Sequence, residues 1–145
     1  KHEIVKKMGG NSVYYGKLSE MLQKIIDQRK IEALSYDEYL RQVVELAEAI
    51  LHPESSKEYP DAVKGSAAKR ALYDYFEKNE ELAVSVNKAI RTALRPGWKT
   101  NFQKQQVIRG AIYESLVDYG YSEEDAANTY SDIYDMAQRQ DEYDG

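Results

Sequence analysis

Apolar residues recur along this chain at intervals of three and four, the spacing that places side chains on one face of an α-helix. Tyr15, Leu18, Leu22, Ile25 and Ile26 predict a first helix over about 12–29. Leu40, Val43, Val44, Ala47, Ile50 and Leu51 predict a second. It opens at the capping-box pair Ser35 and Glu38 and closes at His52-Pro53, because the residue before a proline avoids helical backbone. The stretch PESSKEYPDAVKG, 53–65, has the composition of a loop. It reads as a surface connection between a two-helix front part (1–52) and a longer back part (66–145). A third helix from about 66 turns Ala68, Ala71, Leu72, Tyr75 and Phe76 inward. Asn79 caps a fourth, with Glu80 and Glu81 in the first turn, where the helix dipole favours anions. It ends before Pro96-Gly97. A fifth runs over about 100–119 and stops at Gly120. The sixth opens at Ser122 and buries Ala126, Tyr130, Ile133, Tyr134 and Ala137. No alternation of period two is long enough for a strand, and no repeat is evident. The expected fold is all-α, an irregular bundle of about six helices with no substantial sheet, in a single domain over 1–145.

Composition narrows the class. A chain of 145 residues, 42% apolar, matches one ordinary domain with a modest core. No apolar run approaches the roughly 18 residues of a membrane span, and no signal-peptide pattern opens the chain. There is no cysteine, hence no disulfide, zinc-thiolate site or cysteine nucleophile. A cytoplasmic location is expected. The chain opens on Lys1 and reads as a processed product or as a piece of a larger subunit. Thirteen tyrosines stand against two phenylalanines. A buried phenol needs a hydrogen-bond partner or a wet edge, so the tyrosines imply a shallow amphipathic core or a contact surface.

The formal net charge of -5 hides a segregation. Between Leu82 and Tyr113 there is no acid, and six cations: Lys88, Arg91, Arg95, Lys99, Lys104 and Arg109. Between Glu114 and Gly145 there are ten acids and one cation, Arg139. Such a split points to a polar partner or to contact between the two parts. On the fourth helix Leu82, Val86, Ile90 and Ala93 share one side, and Lys88, Arg91 and Arg95 fall on the other. On the fifth, Val107, Ile108, Ala111 and Ile112 form the apolar face. Phe102, Gln106, Arg109 and Tyr113 form a second line at spacings of four, three and four. Trp98 and Lys99 occupy the turn between. The candidate DNA- or partner-binding set is therefore Lys88, Arg91, Arg95, Trp98, Lys99, Lys104, Arg109 and Tyr113. A stripe of this kind can neutralise phosphates with release of counterions, and Trp98 can stack on a base or centre an interface. Equally, the stripe can be a solvated face or the mate of the acidic C-terminal part, and Trp98 a plug closing the end of the bundle. No side-chain pattern specific enough for major-groove reading is present. Gly110, inside the fifth helix, costs about 1 kcal/mol against alanine; it either admits a neighbouring helix closely or is a tolerated surface position.

Catalytic patterns are missing. His2 and His52 stand far apart without partner motifs and read as surface residues. There is no phosphate-binding loop of the G-x-x-x-x-G-K-[ST] type, and the glycines of MGGNSVYYG match no nucleotide motif. Glu123, Glu124, Asp125 and Asp132 lack EF-hand spacing and suit a helix N-terminus better than a cation. No metal and no catalysis by this chain alone are expected.

Three stretches together carry a family resemblance: LSYDEYLRQVVELAEAI, KRALYDYFEKNEELAVSVNKAIRTA and GWKTNFQKQQVIRGAIYESL. Over roughly 33–117 the chain resembles the C-terminal helical region of the motor (R) subunit of type I restriction enzymes. The closest parts are Arg70-Ala71-Leu72-Tyr73-Asp74, Asn79-Glu80-Glu81-Leu82-Ala83, and Trp98 followed by a base and Asn101. It departs from the family's usual residues at Tyr75-Phe76, Asn87 and Lys104-Gln105. The resemblance implies a parent subunit with a nuclease domain and two ATPase domains, which would hold ATP and Mg and act as a DNA translocase and endonuclease. None of those motifs lies in this chain. It also implies the module's partners, the methyltransferase and specificity subunits, with double-stranded DNA as a further contact. Two other expectations remain: a nucleotide- or small-ligand-sensing bundle lined by tyrosines and Arg109, and a purely structural spacer.

Overall fold

The computed structural model describes residues 9–144; His2 and the start of the MGGNSVYYG stretch lie outside them. From Ser12 onward seven α-helices follow one another, with no strand among the described residues. They are α1 (Ser12–Lys30), α2 (Tyr36–Leu51), α3 (Asp61–Lys64), α4 (Ala67–Tyr75), α5 (Glu80–Ala93), α6 (Phe102–Tyr119) and α7 (Glu123–Gln138). Single 3-10 turns at Pro53–Ser55, Trp98–Thr100 and Asp141–Tyr143 join or end them. Among the described residues no helix is long and apolar enough to cross a membrane.

Side-chain caps start the long helices. Asn11, Ser35, Ser66, Asn79, Asn101 and Ser122 each accept the backbone N–H three residues on, a bond worth about 1 kcal/mol. The capping box at Ser35 forms only by half, because the Glu38 carboxylate turns to Arg41 and Gln42 instead. The last turn of α5 ends before a corner in which Gly97 takes φ 75°, a left-handed conformation that suits glycine.

The back part, α3 to α7, encloses the main core. Leu72, Leu82, Val86, Ile90, Trp98, Ile108, Ile112, Leu116, Ile133 and Tyr134 all lie in it. The 53–65 connection runs along the surface, with most of its residues exposed, but it is anchored in the core at three points. Pro53 is buried, Tyr59 is 5% exposed and Val63 is fully buried, because α3 supplies a wall of that core. The front part is an α1–α2 hairpin with its own small core of Tyr15, Leu18, Ile25 and Leu46.

In α2 the buried line differs from the expected one. Leu46 is buried, with Tyr39, Val43 and Ile50 packed beside it. Leu40, Val44 and Leu51 stay open at 42%, 60% and 51% exposure, and Ala47 is exposed too. The apolar surface of α2 is wider than α1 alone can cover, so one line is covered and the next is left to solvent. Leu22 of α1 and Val107 of α6 are likewise exposed. In α6 the inward line runs Ile108, Ile112, Ser115 and Leu116.

Candidate functional site

The acid-free segment makes α5, the Pro96-Gly97 corner and α6. Its tryptophan lies inside. Trp98 is 1% exposed, meets the Tyr134 ring edge-on at 6.1 Å, and donates its indole N–H to the Tyr143 carbonyl at 2.8 Å. A ring held in this way cannot stack on a base or meet a partner without unpacking the corner, so Trp98 leaves the candidate contact set. Gly110 admits no close helix, for a Cβ there would meet nothing within 4 Å.

The C-terminal segment covers part of the basic stripe. Tyr143 is 2% exposed and donates its hydroxyl to Asn87 at 2.6 Å; burial pushes its phenol well above the usual tyrosine range. The adjacent Glu142 carboxylate accepts from the Ser66 hydroxyl at 2.8 Å and the Ala68 N–H at 2.8 Å, and forms an ion pair with Arg91. Arg91 also lies over the Tyr143 ring at 5.4 Å. Lys99 pairs with Asp144 and reaches the Gln140 carbonyl at 3.4 Å. Two of the six cations are thus neutralised by the acidic end of the same chain.

Of the others, Lys88 is exposed on α5 and Arg95 is exposed just past its C-terminal end. The Arg95 guanidinium donates to the Leu94 and Thr92 carbonyls at 2.8 and 3.1 Å. The Lys104 ammonium donates to the Pro96 carbonyl at 2.5 Å, which brings it to the corner beside Arg95. Among the described residues these three meet no carboxylate in an ion pair. Arg109 faces α7 instead, its guanidinium 4.1 Å from the centre of the Tyr134 ring, a cation–π contact. Tyr113 stands edge-on to Tyr130 at 6.2 Å. Arg109 and Tyr113 line an open groove of about 570 Å³ with Gln106, Gly110, Glu114 and Tyr130. The stripe inferred from helical angles is therefore divided. Lys88, Arg95 and Lys104 remain as unpaired cations, Arg91 and Lys99 are bound to the tail, and Arg109 with Tyr113 belongs to a groove between α6 and α7.

Elsewhere, His52 is exposed with its Nδ1 3.3 Å from Glu54. Glu123, Glu124 and Asp125 occupy the first turn of α7 beyond Ser122, and Asp132 accepts from the Tyr75 hydroxyl at 3.0 Å. Among the described residues no three metal-ligating side chains converge.

Sequence periodicity missed Arg70. Its angular position on α4 is nearly opposite Ala68, Ala71 and Leu72, where a charged residue is expected to meet solvent. Yet it is 9% exposed, because the front hairpin and Tyr59 pack on that side of α4. Nothing within four residues signals this. Comparison with protein-family models, with curated proteins and with solved structures found no match.

Proposed function

We propose that this chain is a non-catalytic helical module that docks a type I restriction motor subunit, in the cytoplasm, on its methyltransferase–specificity core. Lys88, Arg95 and Lys104 would touch duplex DNA beside the α5–α6 corner. The observation that carries the reading is the segment from Leu82 to Tyr113. It bears six cations and no acid, and among the described residues Lys88, Arg95 and Lys104 still meet no carboxylate after the acidic tail has folded back. The resemblance over 33–117 supplies the context. The open line Leu40, Val44 and Leu51 on α2 lies within the resembling stretch and is an apolar face suited to a protein partner.

The two contacts separate experimentally. Charge reversal at Lys88, Arg95 and Lys104 is expected to weaken DNA binding and lower the salt slope by about 3, near 0.9 per phosphate lost, while assembly with the methyltransferase core persists. Leu40→Asp with Val44→Asp is expected to abolish capture of that core in a pull-down and leave DNA binding intact. If neither set of substitutions alters assembly or DNA binding, the module reading fails.

A further inference from the structure

Where α1, α4, the Pro53–Ser55 turn and the C-terminal segment meet, the fold encloses a cavity of about 260 Å³. Its walls include Tyr14, Tyr15, Pro53, Ala67, Arg70 and Arg139. Arg70 is nine-tenths buried. Among the described residues its guanidinium has one hydrogen-bond acceptor, the Lys64 carbonyl at 2.5 Å, and no carboxylate in ion-pair range; the Tyr59 ring lies 6.0 Å away. A buried guanidinium carries five donors and demands acceptors or an anion. No fully buried side-chain donor is left unmatched, so the N–H groups that Lys64 does not take keep some accessible surface, and Arg70 lines this cavity. Tyr15 is 6% exposed, and its hydroxyl has no protein partner among the described residues. Burial holds its phenol protonated, as a donor. The Tyr14 hydroxyl is spent on the Ala49 carbonyl at 2.8 Å, which leaves its ring as a wall at right angles to Tyr15, 5.1 Å between centroids.

The surrounding charges select the ligand. Glu142 is engaged by Ser66, Ala68 and Arg91 and does not answer Arg70. Glu54, exposed at the rim, repels a doubly charged phosphate more than a single carboxylate. A cavity of about 150 Å³ already admits benzene, so 260 Å³ has room for a ring and its carboxylate. We propose that this cavity binds a small aromatic carboxylate, its two oxygens on Arg70 and the Tyr15 hydroxyl and its ring against Tyr14 and Pro53. Because the walls come from both the front hairpin and the back bundle, the ligand also ties the two together. The proposal stands apart from the restriction-module reading, and assembly assays do not bear on it.

The test uses the full chain, with benzoate as probe, followed by calorimetry and by amide and arginine side-chain NMR. Saturable shifts at the Arg70 side chain and the Gly10 and Tyr15 amides are expected, with benzamide binding at least about tenfold more weakly because it lacks the charge. Arg70→Lys is expected to cost about tenfold, since an ammonium cannot make the paired contact. Tyr15→Phe, which removes no hydrogen bond among the described residues, keeps the fold and weakens benzoate about threefold. Equal binding of benzamide, displacement of benzoate by inorganic phosphate, shifts centred elsewhere, or no saturation at the solubility limit would each overturn the proposal.

Discussion

Trp98 has a single hydrogen-bond donor, and the corner around it is arranged to receive it. The Tyr143 carbonyl takes the indole N–H while Tyr134 meets the ring edge-on. Trp98→Phe removes that donor and leaves a void, with an expected cost of about 2–4 kcal/mol in chemical denaturation. Gly110 is the opposite case. Its added methyl would meet nothing within 4 Å, so Gly110→Ala is expected to stabilise by about 0.5–1 kcal/mol and raise Tm by about 2–4 °C. The presence of a helix-interior glycine was legible in the sequence. Its freedom from neighbours was not, because that depends on where α7 lies.

Between neighbouring elements, α2 shows how an apolar pattern underdetermines burial. Two adjacent lines, one through Val43 and Ile50 and one through Leu40, Val44 and Leu51, are both apolar, and only the first is covered by α1. Leu46→Ala is therefore expected to cost about 2–4 kcal/mol, and Val44→Ala to stay within about 0.5 kcal/mol; urea denaturation of the two variants checks the difference. Glu142 joins three elements at once, since it meets Ser66 and Ala68 at the start of α4 and Arg91 on α5. The charge split between residues 82–113 and the C-terminal part announced such contact, but not which cations it would take.

For the whole molecule, alkaline pH is the most discriminating perturbation. Burial raises the Tyr14 phenol to about 12, helped by the nearby Tyr15 and Asp74, and raises Tyr75 to about 12, helped by its bond to Asp132. Tyr59 and Tyr143 are pushed up further, both first by burial, with the Asp74 bond adding at Tyr59. An unfolded tyrosine loses its proton near 10, so above that pH the unfolded chain binds fewer protons than the folded one. The stability these groups contribute is full below about pH 10 and falls as pH rises through 10–12. Tyrosinate absorbance and loss of helical circular dichroism are expected to rise together there. The front hairpin, with four buried residues in its own core, is expected to show faster amide exchange than α5 to α7.

The positions of the six longer helices, the caps at Ser35, Asn79 and Ser122, the stops at Pro53 and Gly120, and the basic and acidic blocks were readable from the chain. Each depends on residues within about four positions of one another. The packing of α3 into the core, the burial of Arg70 beside a cavity, the enclosure of Trp98 and the division of the cations were decided only by tertiary structure. Arg91 meets Glu142 across 51 residues and Asn11 meets Asp74 across 63. Such pairs form because packed helices bring distant positions together, and no local period encodes which ones will meet.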